Sequence, residues 1–203
     1  MAVDVLSGAA QLSSALGELT REVARSVVLV RGSRGSAGSG VVWSLDKPGL
    51  VITNHHVVPG STAQLTLASG RRVNAHVIRR AAALDLAALR VDDTDLAAFT
   101  ARVGDSDALR VGDLVLAVGN PMGERNAPSL GILASGPGDV LRLAITLRPG
   151  NSGGALVNAV GEIVGIPHMV TGSGLALAVS TRTVGRFLNG ATGESEADGL
   201  VWI

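Results

Sequence analysis

The chain has 203 residues, 46% of them hydrophobic and 17% charged, which is enough for one or two packed cores and too apolar for a disordered chain. Seventeen basic residues balance seventeen acidic ones, so no net field favours nucleic acid or an anionic membrane surface, and protein or peptide partners fit better. The absence of cysteine excludes disulfides, thiolate metal sites and cysteine catalysis.

No stretch approaches the roughly 20 apolar residues of a membrane span, and the first residues lack a basic segment followed by an apolar one. With Met1 as the native start, this predicts a cytoplasmic protein without a membrane span. Val5, Ala9, Leu12, Leu16, Leu19 and Val23 recur in alternating steps of four and three, which lines one face of a helix ending near Arg25. That face either packs on its own domain or forms a self-association seam.

From Ser26 the period becomes that of strands. Val27 to Val30, Val41 to Trp43, Leu50 to Ile52, Leu65 to Leu67 and Val73 to Ile78 are short β-branched runs separated by Gly, Pro, Ser and Asp, as in antiparallel barrels or sandwiches. The glycine-rich stretch Gly32 to Gly40 lacks a following Gly-Lys-Ser/Thr and reads as a mobile hairpin loop rather than a phosphate loop.

Thr53-Asn54-His55-His56-Val57-Val58 follows an apolar strand. Adjacent side chains on an extended segment point to opposite sides, which disfavours a two-histidine metal site and leaves one of them as a candidate base. Asp85 is a lone carboxylate in the apolar run Ala81 to Arg90; burying it requires a specific partner, and a histidine N–H is a suitable one. Asp92, Asp93 and Asp95 form a polar cluster expected to face water. Arg71-Arg72 and Arg79-Arg80 read as a solvated face, and His76 and His168 as ordinary structural or surface histidines.

A boundary falls near Gly104 to Gly112, dividing the chain into a helix over 1–25, halves over 26–108 and 109–190, and a tail over 191–203. The second half repeats the strand pattern at Leu114 to Val118, Leu130 to Leu133, Val140 to Ile145, Ala155 to Val157, Glu162 to Ile166 and Leu175 to Val179, with a short helix over Thr183 to Leu188. Within it, Arg148-Pro149-Gly150-Asn151-Ser152-Gly153-Gly154 sets a serine among glycines, where the hydroxyl can project and backbone N–H groups can approach what it attacks. Ser152 is the candidate nucleophile. Gly150 to Gly154 also fits the Gly-x-Ser-x-Gly elbow of α/β-hydrolases, but that plan needs alternating β-α units and an acid then a histidine downstream. The order His56, Asp85, Ser152 instead matches the histidine-acid-serine order of chymotrypsin-type enzymes.

Several further motifs, in the family's order, make the chain resemble a trypsin-like serine protease of the HtrA/Deg type. They are Gly38-Ser39-Gly40-Val41-Val42, Thr53 to Val58, Leu84-Asp85-Leu86-Ala87, Gly104-Asp105-Ser106, Ala117-Val118-Gly119-Asn120-Pro121 and Pro149 to Leu156. The resemblance implies an all-β fold of two packed antiparallel β-barrels, chymotrypsin-like, with an N-terminal helix and a short C-terminal one. It places the base at His56, the orienting acid at Asp85 and the nucleophile at Ser152, with an oxyanion hole at Gly150, Asn151 and Ser152. It also implies acyl transfer without metal or organic cofactor, and a homotrimer through the N-terminal helix.

By position, Thr146, Leu147, Leu175, Ala176 and Leu177 would wall the specificity pocket, and their lack of charge predicts cleavage after aliphatic residues. Three departures from the family stand out: the apolar Leu141 to Ile145 before the nucleophile loop, no PDZ-like module in the sequence after Leu188, and an irregular connection from Gly119 to Leu130. The competing reading is a catalytically silent or chaperone-like peptide-binding module with a collapsed oxyanion loop.

Overall fold

A computed structural model describes residues 2–43, 49–91, 96, 99–172 and 174–190. The aspartates at 92, 93 and 95 and the tail 191–203 lie outside the described residues.

The chain opens with helix α1, Ala2–Ala24, and then enters strands β1 (Val27–Arg31), β2 (Ala37–Val42), β3 (Leu50–Thr53), β4 (Thr62–Thr66), β5 (Arg72–Ala81) and β6 (Leu86–Arg90). These close into an antiparallel barrel in the order β1-β2-β3-β6-β5-β4. A second set, β7 (Leu114–Gly119), β8 (Ala127–Ser135), β9 (Val140–Ala144), β10 (Ala155–Val157), β11 (Ile163–Val170) and β12 (Ala176–Ser180), closes in the order β10-β11-β12-β9-β8-β7. Helix α2, Thr181–Leu188, follows directly; the Ser180 side chain caps its first turn by accepting from the Thr183 N–H. The fold class is the twin-barrel, two-helix one expected.

Several strands are buried on both faces because each face has a different apolar neighbour. Alternate residues of β1, β2, β3 and β6, such as Val28, Val42, Val51 and Ala87, fill the first barrel. Their neighbours Val27, Val41, Ile52 and Leu86 pack instead against Leu116, Val118 and Ile166 of the second barrel and Val184 and Phe187 of α2. The second barrel has its own interior, including Val115, Leu133, Leu141, Leu143 and Val164. The wall between barrels is therefore solid hydrophobic contact, which fixes the position of the loops at its rim. Arg79 lies over the Phe187 ring, 5.5 Å from its centroid, and donates to the Leu188 carbonyl at 3.2 Å, tying β5 to α2.

Two expectations change. The stretch read as a loop from Gly32 to Gly40 holds only a short 3-10 turn, Ser33–Gly35; Gly38 and Gly40 belong to β2. Glycine at 38 answers to crowding, since a Cβ there would come 2.7 Å from a Val57 methyl and 3.0 Å from the Ser152 carbonyl oxygen. The amphipathic helix also packs along only part of its length. Val23 is buried and Leu16 and Leu19 are half-buried, whereas Ala9 and Leu12 are exposed. The side chain of Val5 lies outside the described residues. The exposed Leu12 stands beside Leu114, Leu130 and Val160, so an apolar groove runs between α1 and the outer face of the second barrel.

Candidate active site

The antiparallel pairing of β3 with β6 sets Thr53 opposite Ala87, so the turn leaving β3 lies beside the turn entering β6. Residues far apart in sequence meet there. His56 Nδ1 lies 2.8 Å from Asp85 Oδ2, and the His56 backbone N–H donates to Asp85 Oδ1 at 3.1 Å. The Asp85 carbonyl accepts from the His55 N–H at 3.1 Å and from the Asn54 side-chain amide at 2.8 Å. These contacts fix Asp85, which occupies the left-handed region at φ 49°, a conformation that aspartate tolerates better than most non-glycine residues.

Asp85 is 2% exposed. Burial alone would push its pKa up, but the imidazoles of His168 and His56 favour the carboxylate more strongly and hold the group below the ordinary range. With its Nδ1 proton donated to this carboxylate, the His56 ring keeps Nε2 as its proton acceptor. His55 faces a different environment. Its Nδ1 lies 3.3 Å from Arg80 Nη1, and burial together with the Arg80 charge lowers its pKa. Arg80 is in turn anchored on the Gly60 carbonyl at 2.6 Å. The two adjacent histidines thus diverge, one toward a carboxylate and one toward a guanidinium.

Ser152 sits on a loop that both barrels hold. Ser39 of β2 donates its hydroxyl to the Gly150 carbonyl at 2.7 Å and its N–H to the Ser152 carbonyl at 2.8 Å. Thr53 at the end of β3 donates to the Ser39 carbonyl at 2.6 Å, and the Asn120 N–H donates to the Ser39 hydroxyl at 2.8 Å. From the second barrel, the Pro167 carbonyl accepts from the Gly153 N–H at 2.9 Å. Glycine is required at 153, with φ 81°: a Cβ would lie 2.2 Å from the Ser39 carbonyl oxygen and 2.4 Å from Thr53 Oγ1. Ser39 and Asn120 belong to motifs noted in the sequence, but only the fold gives them a role.

The Pro149 carbonyl accepts from the Met122 N–H at 2.9 Å. In a trans peptide the carbonyl and the next N–H point oppositely, so this bond turns the Gly150 N–H away from Met122. Ser152 is 2% exposed, and among the described residues its Oγ has no hydrogen-bond partner. Asn151 is likewise buried, its side chain near Gly119.

Of the proposed pocket residues, Leu147 and Ala176 share a cluster with Ile145 and with Val170, which sequence reading did not single out. Thr146 is exposed, and its carbonyl accepts from Ser129; Leu175 is half-buried. Leu177 follows Ala176 on β12, so its side chain takes the opposite face of the strand. His168, read as an ordinary histidine, is 7% exposed with Nδ1 3.6 Å from Asp85 Oδ2, whereas His76 is exposed on β5.

Residues 38–166 match the family model described as a trypsin-like peptidase domain. The chain is similar to the serine protease Do-like HtrA of Lactobacillus helveticus, 36% identical over an alignment of 176 residues that covers 76% of this chain and 42% of that protein. It is similar to the periplasmic serine endoprotease DegP of Escherichia coli (strain K12), 37% identical over an alignment of 140 residues that covers 64% of this chain and 29% of that protein. A solved structure of the HtrA-type protease AlgW with tripeptide superposes with a TM-score of 0.78 at 29% identity, covering 85% of this chain and 62% of that one. The chain thus spans less than half the length of these two curated relatives. Motif order, twin barrels and the paired His56 and Asp85 agree with these matches: the chain belongs to the trypsin-like peptidase family, and its relatives there are of the HtrA/Deg type.

Proposed function

We propose that this chain is a serine endopeptidase working through His56, Asp85 and Ser152. The observation that carries the reading is the buried Asp85 carboxylate fixed on His56 Nδ1 at 2.8 Å, with Ser152 on a glycine loop pinned from both barrels. His56 Nε2 takes the Ser152 Oγ proton as the oxygen bonds to a peptide carbonyl carbon, and Asp85 stabilises the imidazolium that forms. The oxyanion accepts from the Gly150 and Ser152 N–H groups across the Asn151 peptide, each donor contributing on the order of 3 kcal/mol in the transition state. The C–N bond then breaks as His56 protonates the amine, and water attacks the acyl-enzyme by the same route. The Met122 anchor on the Pro149 carbonyl supports an open oxyanion loop and favours this reading over a catalytically silent module. No step needs a metal or an organic cofactor.

The side chain before the scissile bond is assigned to the space near Leu147, Ile145, Val170 and Ala176, none of them charged. An unpaired lysine or aspartate there would meet a desolvation cost of several kcal/mol, whereas each methylene of an aliphatic residue contributes roughly 0.8 kcal/mol. A peptide-library cleavage profile should therefore be dominated by Val, Ala, Ile or Leu. Dominant cleavage after Lys, Arg, Asp or Glu would overturn the pocket assignment.

Among the described residues no helix is long and apolar enough to cross a membrane. The cytoplasmic expectation finds no support in relatives, one of which is named a periplasmic endoprotease. The half-covered apolar face of α1 supports self-association through that helix, and the trimeric state is the one the family resemblance implies. Light scattering on a variant lacking residues 1 to 22 should report a single-subunit mass; an unchanged mass would confine the helix to its own subunit.

A further inference from the structure

His168 is a buried histidine that hydrolysis as written does not use. Strand β11 pairs Pro167 with Ala178 but Met169 with Leu177, so two residues of β11 oppose one of β12 and His168 is the extra one. A bulge of this kind re-aims a side chain out of the regular alternation. Here it occurs next to Pro167, whose carbonyl holds the Ser152 loop through Gly153, and it brings the His168 ring across the barrel boundary to Asp85. The same oxygen, Oδ2, that receives His56 Nδ1 at 2.8 Å lies 3.6 Å from His168 Nδ1.

We propose that His168 is a positioning residue: with its proton on Nδ1 it steadies the Asp85 carboxylate from the second barrel, and when doubly protonated it competes with His56 for that one negative charge. The inference rests on the hydrolytic reading above. At 3.6 Å the resting contact is longer than a formed hydrogen bond and acts as a dipole aimed at the carboxylate. Protonating His168 makes that dipole a full cation beside Asp85. The carboxylate then stabilises the His56 imidazolium less, and Ser152 loses basic assistance. No proton leaves His168 for substrate in either state.

The first barrel presents Asp85 and His56, with His55 behind them held by Arg80. Across the bulge β12 offers Leu177 and Ala178, and the nucleophile loop bonds through the Gly153 N–H to the neighbouring Pro167 carbonyl. The guanidinium groups of α2 are engaged elsewhere, Arg182 with Asp107 and Asp139 and Arg186 with Asp139. Asp85 is therefore the one carboxylate that these contacts bring to both His168 and His56.

The test is kcat and KM against pH for the wild type, His168→Asn and His168→Leu. Two imidazoles sharing one carboxylate should make wild-type kcat/KM fall on the acid side in two coupled proton steps spread over a wider pH range than a single ionisation. His168→Asn keeps an N–H donor that cannot protonate, so it should lose about threefold in kcat and fall in a single proton step only. His168→Leu should lose about tenfold in kcat with KM within about twofold, whereas a merely structural defect would raise KM. Identical one-proton acid limbs in wild type and His168→Asn overturn the proposal. Should either variant fail to fold, NMR titration of the wild-type imidazoles decides. Coupled, biphasic curves for His56 and His168 support the relay, and two independent single-step curves overturn it. A wild type that never hydrolyses peptide would sink the hydrolytic reading instead, while the NMR coupling would still be read.

Discussion

Ser152→Ala is expected to lower kcat on an unfolded protein substrate by about 10⁵- to 10⁶-fold, because without the hydroxyl there is no acyl-enzyme route. His56→Ala should be nearly as severe, since the serine then has no base. His55→Ala is the informative contrast. Its ring meets Arg80 at 3.3 Å, and only its backbone N–H reaches Asp85, through the carbonyl, so the substitution leaves that bond in place. Most of the activity should survive. Equal losses for the two histidine variants, measured by initial rates, would contradict the assignment of His56.

Asp85→Asn carries the second large effect. An amide at that position can donate toward His56 Nδ1 and so favour the tautomer with its proton on Nε2, the nitrogen that has to accept from Ser152. A loss of about 10⁴-fold in kcat at neutral pH is expected, with the fold intact. The same substitution has a stability signature. Asp85 has a folded pKa below the ordinary carboxylate value, so its contribution is fully present above the unfolded pKa of about 3.9 and is lost as pH falls through the lower folded value. Urea unfolding should therefore find wild type more stable than Asp85→Asn near pH 7, with the gap closing in acid. A gap that widens in acid would contradict the sign of the shift.

The fold was legible in the sequence where the physics is local. Apolar runs such as Val27 to Val30 and Val115 to Val118 are buried strands because apolar and β-branched residues suit pleated, doubly covered surfaces. Less legible was β6: Leu86 to Arg90 continues an apolar run with no strand punctuation before it, and only Asp85 at positive φ ends the turn that launches it. The glycines of β2 read as a loop because their reason is non-local, the approach of Val57 and Ser152 to Gly38.

The site divides in the same way. Sequence order and flanking residues singled out His56, Asp85 and Ser152, and the fold brings the first two together. Ser39 was visible only as part of a motif, since its bonds to Gly150 and Ser152 span the two barrels. His168 carried no local signal at all; a bulge in register between β11 and β12 decides where its ring goes. Leu177 looked equivalent to Ala176, but strand alternation sends it to the other face.

Hydrolysis by this route requires Ser152 to be a nucleophile activated by His56. Mass spectrometry of the full chain after exposure to a fluorophosphonate measures this most directly, because phosphorus is captured only by a serine whose proton a neighbouring base removes. A single adduct on the peptide containing Ser152 is expected, forming orders of magnitude more slowly in His56→Ala and at nearly wild-type rate in His55→Ala. No adduct on wild type, or an adduct on another serine, would contradict it.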